Sequence, residues 1–226
     1  MTAKTLVNSK LVCVALNDKA QLAALDATFN DAPYKKPPTQ PVLYYKPRNT
    51  WSVDGAEVEW AKDFDGNDVA EMVVGASLGV VIGKETCRVS AEEALQYVGG
   101  YTVVADYSLP EQSYYRPDIK GKCLDTSAPV GPAIVAADKV ANPDALSVII
   151  KVNGEQKSVF ELANMERSVA ELISIISRIM TLQAGEIIAV GFAGDRVPVA
   201  KGDKVEASIE GVGTLNNTLA NTTGGA

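Results

Sequence analysis

Histidine is absent from all 226 residues. Without an imidazole the chain has no Ser-His-Asp triad, no Cys-His dyad and no His-ligated zinc or non-haem iron. Cysteine is scarce: Cys13, Cys87 and Cys123 stand far apart, odd in number and without paired spacing. They read as reduced thiols of a cytoplasmic protein rather than as a disulfide framework. No apolar run reaches the ~18 residues of a membrane span, and the polar stretch Met1 to Lys10 lacks the apolar segment of a signal peptide. A basic surplus is missing too. The chain has 21 Lys and Arg against 28 Asp and Glu, a net charge of −7. That balance leaves no cationic face for a general nucleic-acid partner. The expectation is a cytoplasmic protein with neither nucleic acid nor membrane as partner.

What is present is ordinary for a globular chain: 46% hydrophobic and 22% charged residues, with 18 Gly and 11 Pro. Disorder, collagen and coiled coil are excluded on composition. Residues 11–16 (LVCVAL) and 42–46 (VLYYK) read as strands. Between them Asp18 caps a helix with Leu22, Leu25 and Phe29 on one face. The β-branched run 72–82 reads as a strand pair or one long buried strand. Ser90 and Glu93 form a capping box that opens a helix through about Val98, stopped by Gly99-Gly100. Strands are expected at 101–106, 133–137, 147–152, 156–160 and 186–191, with Asn153-Gly154 as a hairpin turn. A second capping box, Ser168 to Glu171, precedes a core stripe of Leu172, Ile175, Ile176 and Ile179. Residues 201–219 read as β, and the tail 220–226 is expected to fray. The reading is one mainly β domain with a few helices, about nine strands and three helices, with its core at about 11–219.

Six segments in order carry a resemblance: KPRNT (46–50), VVIGK (80–84), YVGGYTVVADYS (97–108), YYRPDIKGKCLDTSAPVGP (114–132), TLQAGEIIAVG (181–191) and KGDKVEASIEGVGTLNN (201–217). Together the chain resembles the fumarylacetoacetate hydrolase family. Within it, the similarity is greatest to the amino-terminal repeats of the bifunctional isomerase/decarboxylases of homoprotocatechuate (4-hydroxyphenylacetate) breakdown. The resemblance implies a mixed β-sandwich roll, usually dimeric. It also implies chemistry at carbon–carbon bonds beside a carbonyl, with a divalent ion held by three carboxylates.

In this chain Asp106 is the only matching ligand. Gly75 and Ser77 stand where the family has its Glu-x-Glu pair, and neither supplies a carboxylate. The family's loop histidine has no counterpart near Ala15-Leu16-Asn17-Asp18, and its late Gly-Thr-Pro resembles Gly191-Phe192-Ala193. No metal or other cofactor is therefore expected in this chain. Mg²⁺ or Mn²⁺ enters only if a partner subunit, or Glu71, Asp68 or Asp63, rebuilds a site.

The resemblance makes Lys122 and Asp106 the catalytic candidates, with Lys122 stabilising an enolate and Asp106 a proton shuttle. Lys46, Arg48 and Arg116 are the candidates for holding substrate carboxylates. Lys46, Arg48, Arg116 and Lys122 all have an open alternative as solvated side chains or as partners of Asp118, Asp125 or Glu111. Asp106 has one as a strand-end cap, and Tyr114 and Tyr115 read as packing residues. The implied function is an isomerase/decarboxylase, or a subunit of one, acting on an unsaturated oxo-di- or tricarboxylic acid from aromatic-compound catabolism. The types implied are 5-oxopent-3-ene-tricarboxylate decarboxylase and 2-hydroxyhepta-2,4-diene-1,7-dioate isomerase. One alternative is a non-catalytic partner of a metal-bearing paralogue. Another is a metal-dependent acylpyruvate-type hydrolase or oxaloacetate decarboxylase. The partners are then a small oxo-acid and a second subunit, in a homodimer or in a heterodimer with a paralogue.

Overall fold

Alternation along the apolar runs gives strands, and the computed structural model describes them over residues 10–111, 113–116 and 118–220. The residues of the expected frayed tail beyond Ala220 lie outside those described. Strand β1 (Leu11–Ala15) pairs antiparallel with β2 (Val42–Lys46), setting Cys13 opposite Tyr44. Asp18 caps α1 (Lys19–Ala24) as expected, but the helix breaks at Leu25 and restarts as α2 (Asp26–Asn30). A single turn of 3₁₀ helix, Arg48–Thr50, leads into β3 (Trp51–Val53), and β4 (Glu57–Val58) follows. The run 72–82 is one strand, β5 (Met72–Ile82), buried at every position. It is sheltered on both faces, which explains why its sequence shows no polar alternation.

The helix expected through Val98 is cut short. Helix α3 (Ala91–Ala94) gives way to a 3₁₀ turn, and Val98, Gly99 and Gly100 already belong to β6 (Val98–Ser108). The two glycines do not stop a helix. They permit close backbone approach: a Cβ on Gly99 would lie 2.8 Å from the Gly83 Cα. The long β5–β6 ladder outweighs the local capping signal.

The chain continues through α4 (Ile119–Lys122), β7 (Ala128–Ala136), β8 (Ser147–Val152) and β9 (Glu155–Glu161). Asn153 and Gly154 join β8 to β9 with φ of 52° and 84°, the left-handed pair that a tight hairpin requires. Helix α5 (Val169–Ile179) is followed by β10 (Ile187–Ala189), β11 (Val197–Val199), β12 (Lys204–Ile209) and β13 (Gly213–Leu219). The elements outnumber the sequence reading, at thirteen strands and five short helices among the described residues.

Two sheets result. The larger runs β2-β1-β10-β5-β6-β7-β3, with β11 also on β5; the smaller runs β4-β13-β12-β8-β9. One face of β5 and β6, with Leu78, Val80, Val103 and Tyr107, joins the smaller sheet and α5 in the main core. The opposite face belongs to a second cluster with Leu11, Cys13, Val104, Ile187 and Phe192. Asp106, two residues on from Val104, projects to that second side.

Helix α5 seats Leu172, Ile173 and Ile176 in the core, but Ile179 is exposed, because the stripe outlasts the contact. Its capping box is complete: Glu171 N–H donates to Ser168 Oγ at 3.3 Å, and Ser168 N–H to Glu171 Oε2 at 2.8 Å. Ser168→Ala is expected to cost about 1 kcal/mol, read as a lower urea midpoint with an unchanged slope.

Candidate functional site

The β5–β6 register sets Gly75 directly opposite Asp106, so both lie on the second-cluster face. Asp106 is fully buried and gathers three cations. Lys46 Nζ lies 2.6 Å from Oδ1, Arg196 Nη1 lies 3.2 Å from Oδ2, and Lys122 Nζ lies 3.8 Å from Oδ2. The Tyr44 hydroxyl donates to Oδ2 at 2.6 Å. Lys46 at the end of β2 also donates to the carbonyls of Lys122 (2.7 Å) and Tyr107 (3.2 Å) and to Ser127 Oγ (3.1 Å). Lys122 comes in on α4, whose first turn is capped by Asp118 accepting from Gly121 N at 2.8 Å. Its ammonium donates to Ser108 Oγ at 3.3 Å and stands 3.3 Å from Glu111 Oε2.

These contacts set the charge states. Burial alone would raise the Asp106 pKa, but Lys46, Lys122 and Arg196 outweigh it and hold the carboxyl well below the usual carboxylate range. Burial, then the Asp106 charge, push the Tyr44 phenol well up and the Cys13 thiol up to about 12. Both stay neutral at physiological pH. Glu111 is raised by its partial burial, which Lys122 only partly offsets.

Beside the cluster opens a cavity of about 600 Å³, walled by Tyr44, Glu111, Tyr114, Arg116 and Lys122 among others. That volume suits a small organic acid. Of the five sequence candidates, Asp106, Lys46 and Lys122 come together. Lys122 and Arg116 reach the cavity wall, Arg116 as an exposed side chain. Lys46 does not: its side chain is sealed behind Asp106 at 0% exposure, with its ammonium engaged by protein oxygens. Arg48 is exposed on the turn after β2, outside both cluster and cavity. Neither Arg48 nor Arg116 forms an ion pair among the described residues. Tyr115 packs edge-on against Tyr34, and Tyr114 accepts from Gln21 Nε2 at 2.7 Å on the cavity wall.

Arg196 and Tyr44 escaped the sequence reading, and Glu111 entered it only as a possible ion-pair partner of the cations. The one available signal was Gly75, a bare position inside a β-branched strand, which marks close approach by something else. That something is Arg196. A Cβ on Gly75 would sit 2.3 Å from Arg196 Nη1. Asn17 and Asp18 hold the loop that carries it: Asn17 Nδ2 donates to Val190 O at 2.8 Å, and Gly194 N donates to Asp18 Oδ2 at 2.9 Å.

The family model described as "Fumarylacetoacetate (FAA) hydrolase C-terminal" matches residues 10–220. The chain belongs to the fumarylacetoacetate hydrolase family. This member is 34% identical over 209 residues to the 4-hydroxyphenylacetate degradation bifunctional isomerase/decarboxylase of Escherichia coli, covering 92% of this chain and 46% of that protein. It thus spans about half the length of that relative. It is 39% identical over 150 residues to the oxaloacetate tautomerase YisK of Bacillus subtilis, covering 63% of this chain and 50% of that protein. Among solved structures, a 2-hydroxyhepta-2,4-diene-1,7-dioate isomerase from Mycobacterium marinum superposes with a TM-score of 0.76 at 28% identity, covering 95% of this chain and 75% of that one.

The family resemblance implies a divalent ion. The residues present do not fit one. Gly75 offers no ligand and its space holds a guanidinium. Ser77 is buried, donating to Leu78 O at 3.2 Å and accepting from Gly191 N at 3.3 Å. Asp106 is ringed by three fixed cations, which would repel a dication. Of the upstream acids, Asp68 pairs with Lys201, Asp63 caps its own turn through Asp65 N and Asn67 N, and Glu71 is exposed. Among the described residues no group of three or more His, Cys, Asp or Glu side chains is arranged to hold a metal. No helix of those residues is long and apolar enough to cross a membrane.

Proposed function

We propose that this chain is a catabolic isomerase that interconverts enol and keto forms of an unsaturated oxo-dicarboxylic acid with fixed side-chain cations instead of a bound ion. One observation carries the reading: Lys122 and Glu111, 3.3 Å apart, both line the cavity beside the buried ion cluster. A tautomerisation needs a positive group beside the oxygen where charge develops, and an acid–base group for the proton. Lys122 supplies the first. Glu111, with its pKa raised by burial, supplies the second: it takes a proton from one end of the dienol system and returns it at the other. Three relatives support this class, since isomerase/decarboxylase, dioate isomerase and oxaloacetate tautomerase all work beside a carbonyl. The same enolate-stabilising cation would serve loss of CO₂ from a tricarboxylic oxo-acid.

Two expectations change with the geometry. Asp106 anchors rather than shuttles, because a carboxylate without surface and held ionised by three cations does not take up protons at neutral pH. Lys46 braces that anchor rather than binding substrate. Arg116, on the cavity rim, remains the outer contact for a distal carboxylate. The missing glutamate pair favours a second reading: this chain completes a heterodimer whose metal-bearing paralogue does the chemistry.

The test measures loss of dienol absorbance with 2-hydroxyhepta-2,4-diene-1,7-dioate, and enol–keto exchange of oxaloacetate, with chelator and with Mn²⁺. Turnover by the chain alone in chelator is expected. Turnover only after adding the paralogue would replace this reading with the subunit one. Lys122→Ala is expected to lower kcat about 100- to 1000-fold. An unchanged kcat would remove Lys122 from the chemistry.

A further inference from the structure

We propose that Arg196 is a resident organic cation in the place a divalent ion would otherwise take, and that its guanidinium receives the carboxylate end of the oxo-acid. This rests on the metal-free reading above and assigns the acid end of the substrate to one side chain.

Four observations carry it. First, the guanidinium lies where no side chain other than a hydrogen fits: a Cβ on Gly75 would be 2.3 Å from Nη1 and 2.8 Å from Cζ. Second, Nη1 is fixed on both oxygens that Asp106 offers on that side, Oδ2 at 3.2 Å and the backbone carbonyl at 3.3 Å. Third, the group is held from two further directions. Its Cζ stacks 4.2 Å from the Phe192 ring centroid, and Nη2 reaches the Tyr44 oxygen at 3.5 Å. Fourth, Arg196 keeps 18% of its side chain exposed while Lys46, the other close partner of Asp106, keeps none. Its link to the cavity is Nη2, which approaches the oxygen of Tyr44, a wall residue.

A guanidinium has five N–H donors, and the contacts to Asp106 and Tyr44 engage only part of that set. The remainder suits a carboxylate, which a planar fork grips at two points. Unlike a metal ion it is never lost to a chelator, and it stays charged throughout the physiological range. Its geometry also explains the bare strand position: Gly75 is the seat of the cation.

The experiment is a double-mutant cycle on Gly75→Ala and Arg196→Ala, read by melting temperature and by steady-state kinetics on an oxo-dicarboxylate. Arg196→Ala should raise KM about tenfold or more. Gly75→Ala should lower the melting temperature, because the new methyl collides with the guanidinium. In the Arg196→Ala background the three atoms nearest that methyl, all of Arg196, are gone, so the Gly75→Ala penalty should vanish. If Gly75→Ala fails to fold, the double variant should recover folding. Additive losses, or a double variant that also fails to fold, would overturn the proposal. So would a tightly bound Mn²⁺ signal when the wild-type chain is titrated with Mn²⁺ and followed by paramagnetic resonance. The melting-temperature cycle needs no activity, so it still reports on the Gly75–Arg196 contact if the chain turns over no oxo-acid. If metal-free turnover is present but Arg196→Ala leaves KM unchanged, only the Arg196 assignment falls.

Discussion

Asp106→Asn is expected to destabilise the fold by about 3–5 kcal/mol, the cost of leaving buried charge without its counter-ion. The substitution keeps the shape and removes only the charge. Lys46 would then face neutral oxygens with a side chain that has no surface, and Arg196 and Lys122 would lose the carboxylate between them. Urea unfolding should show the loss as a lower midpoint. A pH series adds a second check. The folded Asp106 carboxyl sits below its unfolded value of about 3.9, so its contribution is complete above that value. It is lost as pH falls towards the lower folded value. Wild-type stability should therefore decline below about pH 4, and the Asn variant should lack this part of the acid slope. An Asn variant as stable as wild type would mean that the cations are hydrated rather than held by this acid.

The same cluster shows what a single sequence discloses. Asp106, Lys46 and Lys122 stood in short segments with family-like spacing, and they do converge. Arg196 did not announce itself. It lies 90 positions from Asp106, and the residue that makes room for it is a glycine, Gly75, whose importance is an absence of atoms. Local rules succeeded where local physics decides: the Asn153-Gly154 turn, the Ser168 cap, and the buried run that became β5. They failed where distant pairing wins. Gly99-Gly100 looked like a helix stop, yet pairing with β5 draws the segment into β6. Ile179 continued a helical stripe past the point where the core ends. The burial of Lys46 was likewise invisible, since a lysine in a polar turn reads as solvated until the four oxygens around it are placed.

Glu111→Gln is expected to lower kcat on an oxo-dicarboxylate by about 10²- to 10⁴-fold, the range for losing a positioned acid–base group. The amide keeps the size and the polar contact with Lys122, so KM should change far less than kcat. The pH profile separates a proton-transfer role from a structural one. Burial raises the Glu111 pKa above its ordinary value of about 4.3 and Lys122 offsets that only in part. The proton-accepting form is the ionised one, so kcat/KM should rise with pH through that raised value, giving an acid limb that the Gln variant lacks. Removing the ammonium at 3.3 Å in Lys122→Ala should move the limb to higher pH, because the lowering influence on Glu111 is gone. Chelator should leave both profiles unchanged. A folded Gln variant that keeps its rate and its acid limb would transfer the proton step away from Glu111, to another titratable group of the same wall such as Tyr114 or Asp118.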